Sequence, residues 1–400
     1  MYQVIFNTHD VVLLMTAYQC ILFAILLLTI KREKPLSNVF LAFFLLQQAA
    51  IPLDILISFG AEFRQLALSW SPNLFYVFGF GYWLEAPFLL WYTRSLIYKD
   101  YRLTKKDLIF LLPFFSYLVY QILFYYRLEW HDKHHLQEVY NLFSAPHYMN
   151  YVTLFREVFR AALGIMCIVE IKRYSQHIKT NFSDIERLDL TWLKMLVIGF
   201  LVIRSWAVLV GLLILLSVSF GINTNFELMG LTGNYTTFIM VSMLIFFGLG
   251  HSSVFEGIEV KQSDAIKTDT LKDKIKDTQI QRVTEYMINE KPYLMPALTL
   301  EKLATLVGIQ ARVLSTIINR QFACNFFEFI NNYRVDEAKR MLADNACANK
   351  NMLEIMYDVG FNSKATFNTL FKKKVGMTPS EFRKQAMAKA MPESFAPTHE

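Results

Sequence analysis

The chain has 400 residues, of which 54% are hydrophobic and 15% aromatic, including 35 Phe. This composition excludes an ordinary soluble protein, and the long apolar runs are concentrated in the first 255 positions. The formal net charge is +6, yet residues 291–390 alone hold 15 Lys and Arg against 8 Asp and Glu. We therefore predict a membrane half joined to a basic soluble half, and a basic domain suits a polyanionic partner.

Seven apolar runs are long enough to cross a bilayer. The first, residues 11–30, is uncharged, has no basic segment before it and is followed by Lys31 and Arg32. These features predict a membrane anchor and not a cleaved signal peptide. The other six runs are residues 36–58, 74–98, 108–126, 151–171, 192–218 and 235–255. The predicted fold is all-α, with a seven-helix transmembrane bundle ahead of a helical soluble domain.

Basic residues are distributed unequally between the loops of this bundle. One alternate set of loops holds 11 Lys and Arg, whereas the other holds only Arg64, Arg127 and Lys133. Because basic loops remain in the cytoplasm, the N-terminus is predicted outside and the soluble half in the cytoplasm.

Five ionisable residues lie inside the predicted spans, where a charge is costly. They are Glu85, Arg156, Glu157, Arg160 and Arg204. Glu157 and Arg160 are three positions apart, on one face of a helix. One interpretation is a set of structural ion pairs between helices, and the other is a polar pocket that receives a signal from the outer side. Both interpretations stay open at this stage.

Neither the histidines nor the cysteines form a convincing metal motif. His131, His134 and His135 have helical spacing, but the surrounding residues favour an exposed polar loop. The four cysteines lack the spacing of a metal or redox site, so we interpret them as buried side chains in a reducing compartment. We predict no bound metal and no cofactor.

Residues 257–290 are polar and alternate in charge, with apolar positions at Leu271, Ile275, Val283 and Met287. This pattern indicates a helix that is solvated, or that dimerises or transmits a signal. The predicted domains are a transmembrane sensor (1–256), a helical linker (257–290), a soluble domain (291–388) and a disordered tail (389–400).

Two segments of the soluble half share one skeleton, in which a glycine separates two amphipathic helices. The first reads LTLEKLATLVG and then ARVLSTIINRQF, with a turn at Gly308. The second reads MLEIMYDVGF and then SKATFNTLFKKK, with a turn at Gly360. This skeleton is typical of helix-turn-helix units, and two in tandem would place two helices on one side of a DNA duplex.

Residues 302–384 resemble the DNA-binding domain of the AraC/XylS family of bacterial transcription regulators. The resemblance rests on LTLEKLATLVGI, VLSTIINRQF, FFEFINNYRVDEAKRML and, most specifically, MLEIMYDVGFNSKATFNTLFKKKVGMTPSEFRK. It covers under a quarter of the chain. The preceding half resembles the sensor region of a membrane-embedded branch of that family. The resemblance implies seven helices, with residues 326–342 as the connector between the two units.

The resemblance also implies which side chains contact DNA. The bases would be contacted by Arg312, Ser315, Thr316 and Asn319 of the first recognition helix, and by Lys364, Ala365, Asn368 and Thr369 of the second. The phosphates would be contacted by Arg320, Lys372, Lys373 and Lys374. Arg312 suits guanine, and Asn319 or Asn368 suits adenine, because each can form two hydrogen bonds with that base edge.

Three positions depart from the family pattern. Gln310 stands where a small helix-capping residue is common, so the first recognition helix would begin less firmly. Ala323 replaces a glycine after that helix, which affects the turn. Met356 replaces a small alanine, and its flexible side chain must adapt the packing there.

The leading hypothesis is a sequence-specific transcription regulator in the bacterial inner membrane, without enzymatic activity. Its implied partners are double-stranded promoter DNA, the lipid bilayer, RNA polymerase, an unidentified small-molecule or membrane signal, and a second copy of the chain. The family leans towards activation. Two alternatives remain: a membrane enzyme or transporter with a regulatory C-terminal domain, and a scaffold that has lost DNA binding. The sequence contains no catalytic motif that favours the former, and the basic excess argues against the latter.

Overall fold

A computed structural model describes residues 7–29, 35–98, 101–139, 147–185, 190–220, 225–250 and 277–390. Within these ranges the chain forms sixteen α-helices and one isolated β-bridge, which confirms the predicted all-α class. The chain divides into two compact units. The first holds residues 1–172 and 190–262, and the second holds residues 173–189 and 263–400.

The helices that build the first unit are α1 to α9, although the end of α7 belongs to the second unit. Their bounds are α1 (Thr8–Thr29), α2 (Pro35–Phe59), α3 (Ala61–Trp70), α4 (Gly81–Ile97), α5 (Leu112–Gln121), α6 (Trp130–Val139), α7 (His147–Asn181), α8 (Thr191–Phe220) and α9 (Phe226–Gly250). Helix α2 packs between α1 and α4.

Six segments of the described chain are long and apolar enough to cross a membrane. They are Thr8–Thr29, Leu36–Phe59, Pro72–Ile97, Asp107–Tyr126, Thr191–Phe220 and Glu227–Phe246. Each corresponds to one predicted run, although the last helix begins at Phe226, nearer the start of the chain than predicted, and residues 251–255 lie outside the described residues. The seventh run, residues 151–171, lies within the 35 residues of α7. Its charges Arg156, Glu157 and Arg160 keep it out of this apolar group.

The outward faces of these helices are unusually apolar. Leu22, Ile25, Leu112 and Phe124 each expose more than half of their surface. Burying such side chains is favourable in proportion to the apolar area removed from water, so large apolar faces left open on a folded unit indicate a lipid or protein environment.

Helix α6 occupies the region where the sequence predicted an exposed polar loop. Its Lys133 is buried, because the ammonium group donates to Asn73 Oδ1 at 3.0 Å and to the carbonyl oxygen of Tyr126 at 2.9 Å. Asn73 is 60 positions away in sequence, and local pattern could not show this partner.

From residue 277 to residue 390 the second unit contains seven α-helices, and the first of them lies in the segment that the sequence predicted as a linker. They are α10 (Asp277–Asn289), α11 (Leu300–Val307), α12 (Ala311–Gln321), α13 (Phe326–Ala343), α14 (Met352–Asp358), α15 (Lys364–Val375) and α16 (Pro379–Ala390). Residues 391–400 of the predicted tail lie outside the described residues.

Helix α10 covers the described part of the predicted linker, and it packs into the C-terminal core. Val283 and Met287 are fully buried in one apolar cluster with Leu303 and Leu314. Leu271 and Ile275 lie outside the described residues. The apolar positions Val283 and Met287 of the predicted linker therefore pack against residues of α11 and α12.

Local sequence sets the start of several of these helices. Asn325 and Glu328 form a capping box at α13, and Asn351 and Glu354 form another at α14. The TPSE segment of the family pattern does the same for α16. The Thr378 N–H donates to Glu381 Oε2 at 2.8 Å, which lowers the pKa of Glu381. Each box satisfies backbone N–H groups that have no partner inside the helix.

A buried arginine joins the two halves of the domain. Arg334, in the middle of α13, is 1% exposed. Its Nε donates to the Tyr293 carbonyl oxygen at 2.7 Å and its Nη2 to that of Met295 at 2.8 Å. The guanidinium also lies 5.6 Å from the centroid of the Phe361 ring, which belongs to the second apolar cluster. Burial lowers the pKa of Arg334 to about 10, so it remains charged at neutral pH.

Two turn residues are held in the left-handed region of backbone space. Gly360 has φ +88°, and a Cβ atom there would stand 2.8 Å from the carbonyl oxygens of Tyr293 and Leu294. Ala323, the residue that replaces the family's glycine, has φ +49°. An L-residue in this region costs about 1–2 kcal/mol, so Gly360 is required by its surroundings, whereas Ala323 is strained.

We predict opposite effects from exchanging Gly and Ala at these turns. Gly360→Ala should lower the free energy of unfolding by more than about 2 kcal/mol, because steric overlap adds to the backbone cost. Ala323→Gly should leave it unchanged or raise it by up to about 1 kcal/mol, since relief of strain offsets the greater entropy of the unfolded chain. Urea unfolding of a fragment comprising residues 264–400 measures both, and destabilisation by Ala323→Gly would contradict the strain.

Candidate DNA-binding surface and a buried charge cluster

The first helix-turn-helix unit consists of α11 and α12. Thr299 begins α11, where its hydroxyl oxygen accepts a hydrogen bond from the Lys302 N–H at 3.2 Å, and Gly308 ends it with φ +73°. Gln310 precedes α12 without a side-chain cap, as its residue type predicted. The unit is held by buried Leu314, Ile317 and Ile318 on the inner face of α12.

The second unit consists of α14 and α15. Gly360 makes the turn, and Ser363 caps α15, accepting a hydrogen bond from the Thr366 N–H at 3.3 Å. Phe367 and Phe371 form the buried face of α15. Met356 is buried in the same cluster, so the larger side chain is accommodated there. The connector α13 has 18 residues, about 27 Å at 1.5 Å per residue.

The predicted base-contacting residues lie on the faces of α12 and α15 that remain open to solvent. On α12, Asn319 is exposed, and Arg312, Ser315 and Thr316 are half-buried. On α15, Lys364, Ala365 and Thr369 are exposed and Asn368 is half-buried. The Thr316 hydroxyl donates to the Arg312 carbonyl oxygen at 2.8 Å. Their assignment to particular bases stays a proposal.

The four predicted phosphate-contacting residues differ in their surroundings. Arg320, Lys372 and Lys373 are exposed at the ends of α12 and α15. Lys374 instead reaches α13, where its ammonium group donates to Asp336 Oδ2 at 2.7 Å and to the Asn332 carbonyl oxygen at 2.8 Å. The structure thus gives Lys374 a role in holding α15 against the connector.

Sequence reasoning missed the role of Arg334, although a signal was present. Phe326, Ile330, Arg334 and Ala338 recur every four residues and share one face of α13. An arginine inside such an apolar stripe must find buried acceptors. The backbone carbonyl groups of residues 293 and 295 supply them.

Two helix-turn-helix units on a rigid connector, each with polar side chains exposed on its second helix, define a tandem DNA-binding domain. Residues 303–385 match the helix-turn-helix domain family. Over 88 residues the chain is 31% identical to the melibiose operon regulatory protein of Escherichia coli K12, and equally to that of E. coli O6:H1 strain CFT073. These comparisons confirm the AraC/XylS resemblance of the C-terminal region. The matched segment is 22% of this chain and 28% of each relative, and no solved structure matches significantly.

The five predicted ionisable residues of the first unit come together in a buried charge cluster of Glu85, Arg156, Glu157, Arg160 and Arg204. Glu85 on α4 accepts hydrogen bonds from Gln48 of α2 and from Arg160 of α7. Glu157 on α7 accepts from Arg160 Nη1 at 2.9 Å and from Arg204 Nη1 of α8 at 3.3 Å. Charge pairing therefore ties α4, α7 and α8 together.

Arg156 lies at the margin of this cluster. Its Nε donates to Glu157 Oε1 at 2.9 Å, and its guanidinium lies 4.1 Å from the centroid of the Tyr82 ring. The side chain is 21% exposed, against 1% for Arg160 and 9% for Arg204. The ion pairs directly support the structural interpretation of the cluster, and its part in sensing stays a proposal. Among the described residues no group of three or more His, Cys, Asp or Glu is placed to hold a metal ion.

The first prediction on DNA binding separates base contacts from phosphate contacts. Arg312→Ala should weaken binding to a duplex selected from a random-sequence pool by about 1–3 kcal/mol and should relax its sequence preference. Lys373→Ala should weaken binding to all sequences alike. It should also reduce the slope of the logarithm of the binding constant against the logarithm of the salt concentration by about one, as expected for the loss of one phosphate contact. Lys350→Ala is the matched control, since it removes the same charge from an exposed position outside both recognition helices and should change neither affinity nor sequence preference. A change in sequence preference from Lys373→Ala as large as that from Arg312→Ala would contradict these roles.

A second prediction concerns the charge cluster. Glu157→Gln keeps the side-chain shape but leaves buried guanidinium groups without their shared carboxylate, which should destabilise the first unit by about 3 kcal/mol. Arg156→Gln, at the exposed margin, should cost about 1 kcal/mol or less. Unfolding of the full chain in detergent micelles measures both. Equal stability of the two variants would contradict the structural role of Glu157.

Proposed function

We propose that the protein is a membrane-embedded transcription regulator, whose C-terminal domain binds promoter DNA and whose N-terminal helices couple that binding to a signal at the membrane. The observation that carries this proposal is the tandem helix-turn-helix domain with its polar recognition faces, in a chain whose described part also has six helices apolar enough to cross a bilayer. The melibiose operon regulatory proteins, which the domain resembles, are regulators by their names.

Two independent features support a cytoplasmic position for this domain. The basic residues fall in alternate loops of the apolar half, in the pattern that keeps the C-terminus inside. The domain itself is basic, as a partner of DNA must be. We therefore propose a bacterial inner-membrane protein with its N-terminus outside, with α7 as a seventh span whose charges are shielded by Glu85 and Arg204.

The charge cluster is the proposed receiver of the signal. Its pairs join three helices, so a ligand or a change at the membrane that alters one pair would shift one helix against another. The family resemblance favours activation, with RNA polymerase as a further partner, and a second copy of the chain as another. The proposed function does not include catalysis.

A DNA-binding test of the C-terminal part addresses the regulator function directly. A fragment comprising residues 264–400 contains both apolar clusters of the domain and lacks the contacts that residues 182–184 make with it. It should bind duplex DNA selectively. If Arg320, Lys372 and Lys373 each neutralise one phosphate, the logarithm of the binding constant should fall against the logarithm of the salt concentration with a slope of about −3 or steeper. A fragment that is folded by circular dichroism and binds no duplex at about 50 mM salt would overturn the proposal.

A further inference from the structure

Residues 182–184, which follow α7 in the chain, dock within the second unit against the start of α11, the connector α13 and the turn before α15. We call them the docking segment. Ser183 is 2% exposed, and its N–H and Oγ–H both donate to the Leu298 carbonyl oxygen, at 3.1 Å and 2.7 Å. The Asn331 side chain donates to the Ser183 carbonyl oxygen at 3.1 Å. Phe182 forms the isolated bridge with Thr299, the residue that begins α11. The segment is therefore held by buried hydrogen bonds and is not a loosely attached loop.

Asp184, the last residue of the docking segment, brings a negative charge close to the start of the second recognition helix. Asp184 Oδ2 accepts a hydrogen bond from Asn362 Nδ2 at 2.9 Å. Asn362 directly precedes Ser363, the N-cap of α15. The N-terminal end of a helix carries partial positive charge and unpaired N–H groups, so it attracts phosphate oxygens when a recognition helix enters the groove. The carboxylate of Asp184 stands beside the place where such a phosphate is expected.

We propose that the docking segment is an autoinhibitory latch, in which Asp184 occupies the position of a DNA phosphate beside the N-terminus of α15. Full DNA binding then requires the segment to move away from Asn362. This inference rests on the proposed DNA-binding function, and it adds a means of control. The latch competes with the duplex backbone, so it lowers affinity for every sequence rather than changing which sequence is preferred.

The chain also provides a path from the membrane half to the latch. Helix α7 runs without interruption to Asn181 and carries Glu157 and Arg160 of the charge cluster. The docking segment is its direct continuation. The proposed signal that releases the latch is a displacement of α7, the helix that the segment directly follows in the chain.

Removing the charge of Asp184 tests the latch. Asp184→Asn keeps an oxygen that accepts from Asn362 but removes the repulsion of phosphate. In the full chain in detergent, it should tighten binding of a fluorescent random-sequence duplex of about 30 base pairs at about 50 mM salt by about fivefold, the order expected when one phosphate contact is freed. Asp277→Asn is the matched control, since this exposed acid carries the same charge at the start of another helix, α10, and it should change affinity less than twofold.

A cross-link that closes the latch gives the opposite test. With Cys324 and Cys347 changed to Ser, the pair Asp184→Cys and Asn362→Cys should form a disulfide under oxidation. The oxidised protein should bind the same duplex at least tenfold more weakly than after reduction, and each single-cysteine variant should not respond to oxidation.

The outcomes separate the latch from the regulator function. Wild-type protein that binds duplex as tightly as Asp184→Asn, or more tightly, overturns the latch and leaves the proposed function in place. Equal binding by the cross-linked and reduced forms does the same. If neither the full-length variants nor the fragment of residues 264–400 bind any duplex, the proposed function fails and the latch fails with it. If the Asp184→Asn variant binds duplex and the wild-type protein does not, the result supports both the latch and the proposed function.

Discussion

The buried charge of Arg334 is the interaction on which the C-terminal domain depends. An arginine at this depth is tolerated only with good acceptors, and the carbonyl groups of Tyr293 and Met295 provide them at 2.7 Å and 2.8 Å. The contact with Phe361 attaches the second helix-turn-helix unit to the same guanidinium. A single side chain of the connector therefore links the segment that leads into the first unit with the turn of the second unit.

The same guanidinium connects the domain to its proposed control. Arg334 Nη2 lies 3.4 Å from Ser183 Oγ, and Asn331, one helical turn earlier on α13, binds the Ser183 carbonyl group. The face of α13 that holds the two units together therefore also holds the docking segment. Asp184, the last residue of that segment, lies against Asn362, beside the start of α15. The buried polar contacts that assemble the DNA-binding domain therefore also hold the docking segment. They form one network, in which each member depends on the others.

Local sequence was sufficient for most of this architecture. Apolar spacing placed α11, α12, α14 and α15, and six of the seven predicted spans coincide with apolar helices. Long-range partners could not be predicted in the same way. Burial of Lys133 depends on Asn73, Lys374 is engaged by Asp336, and Ser183 meets Leu298 across 115 positions. Hydrophobic periodicity reports which face of a helix is buried, but not what covers it, which explains why α10 could be interpreted as a solvated linker.

Mapping of chromosomal contacts in living cells tests the central claim most directly, because it asks whether one polypeptide is both held in the membrane and bound to specific DNA. The full chain should enrich a small number of discrete sites by chromatin immunoprecipitation, while remaining in the inner-membrane fraction. A double variant with Arg312→Ala and Asn368→Ala should stay in the membrane and lose those sites. A wild-type chain that is inserted in the membrane and enriches no site more than this variant would contradict the account.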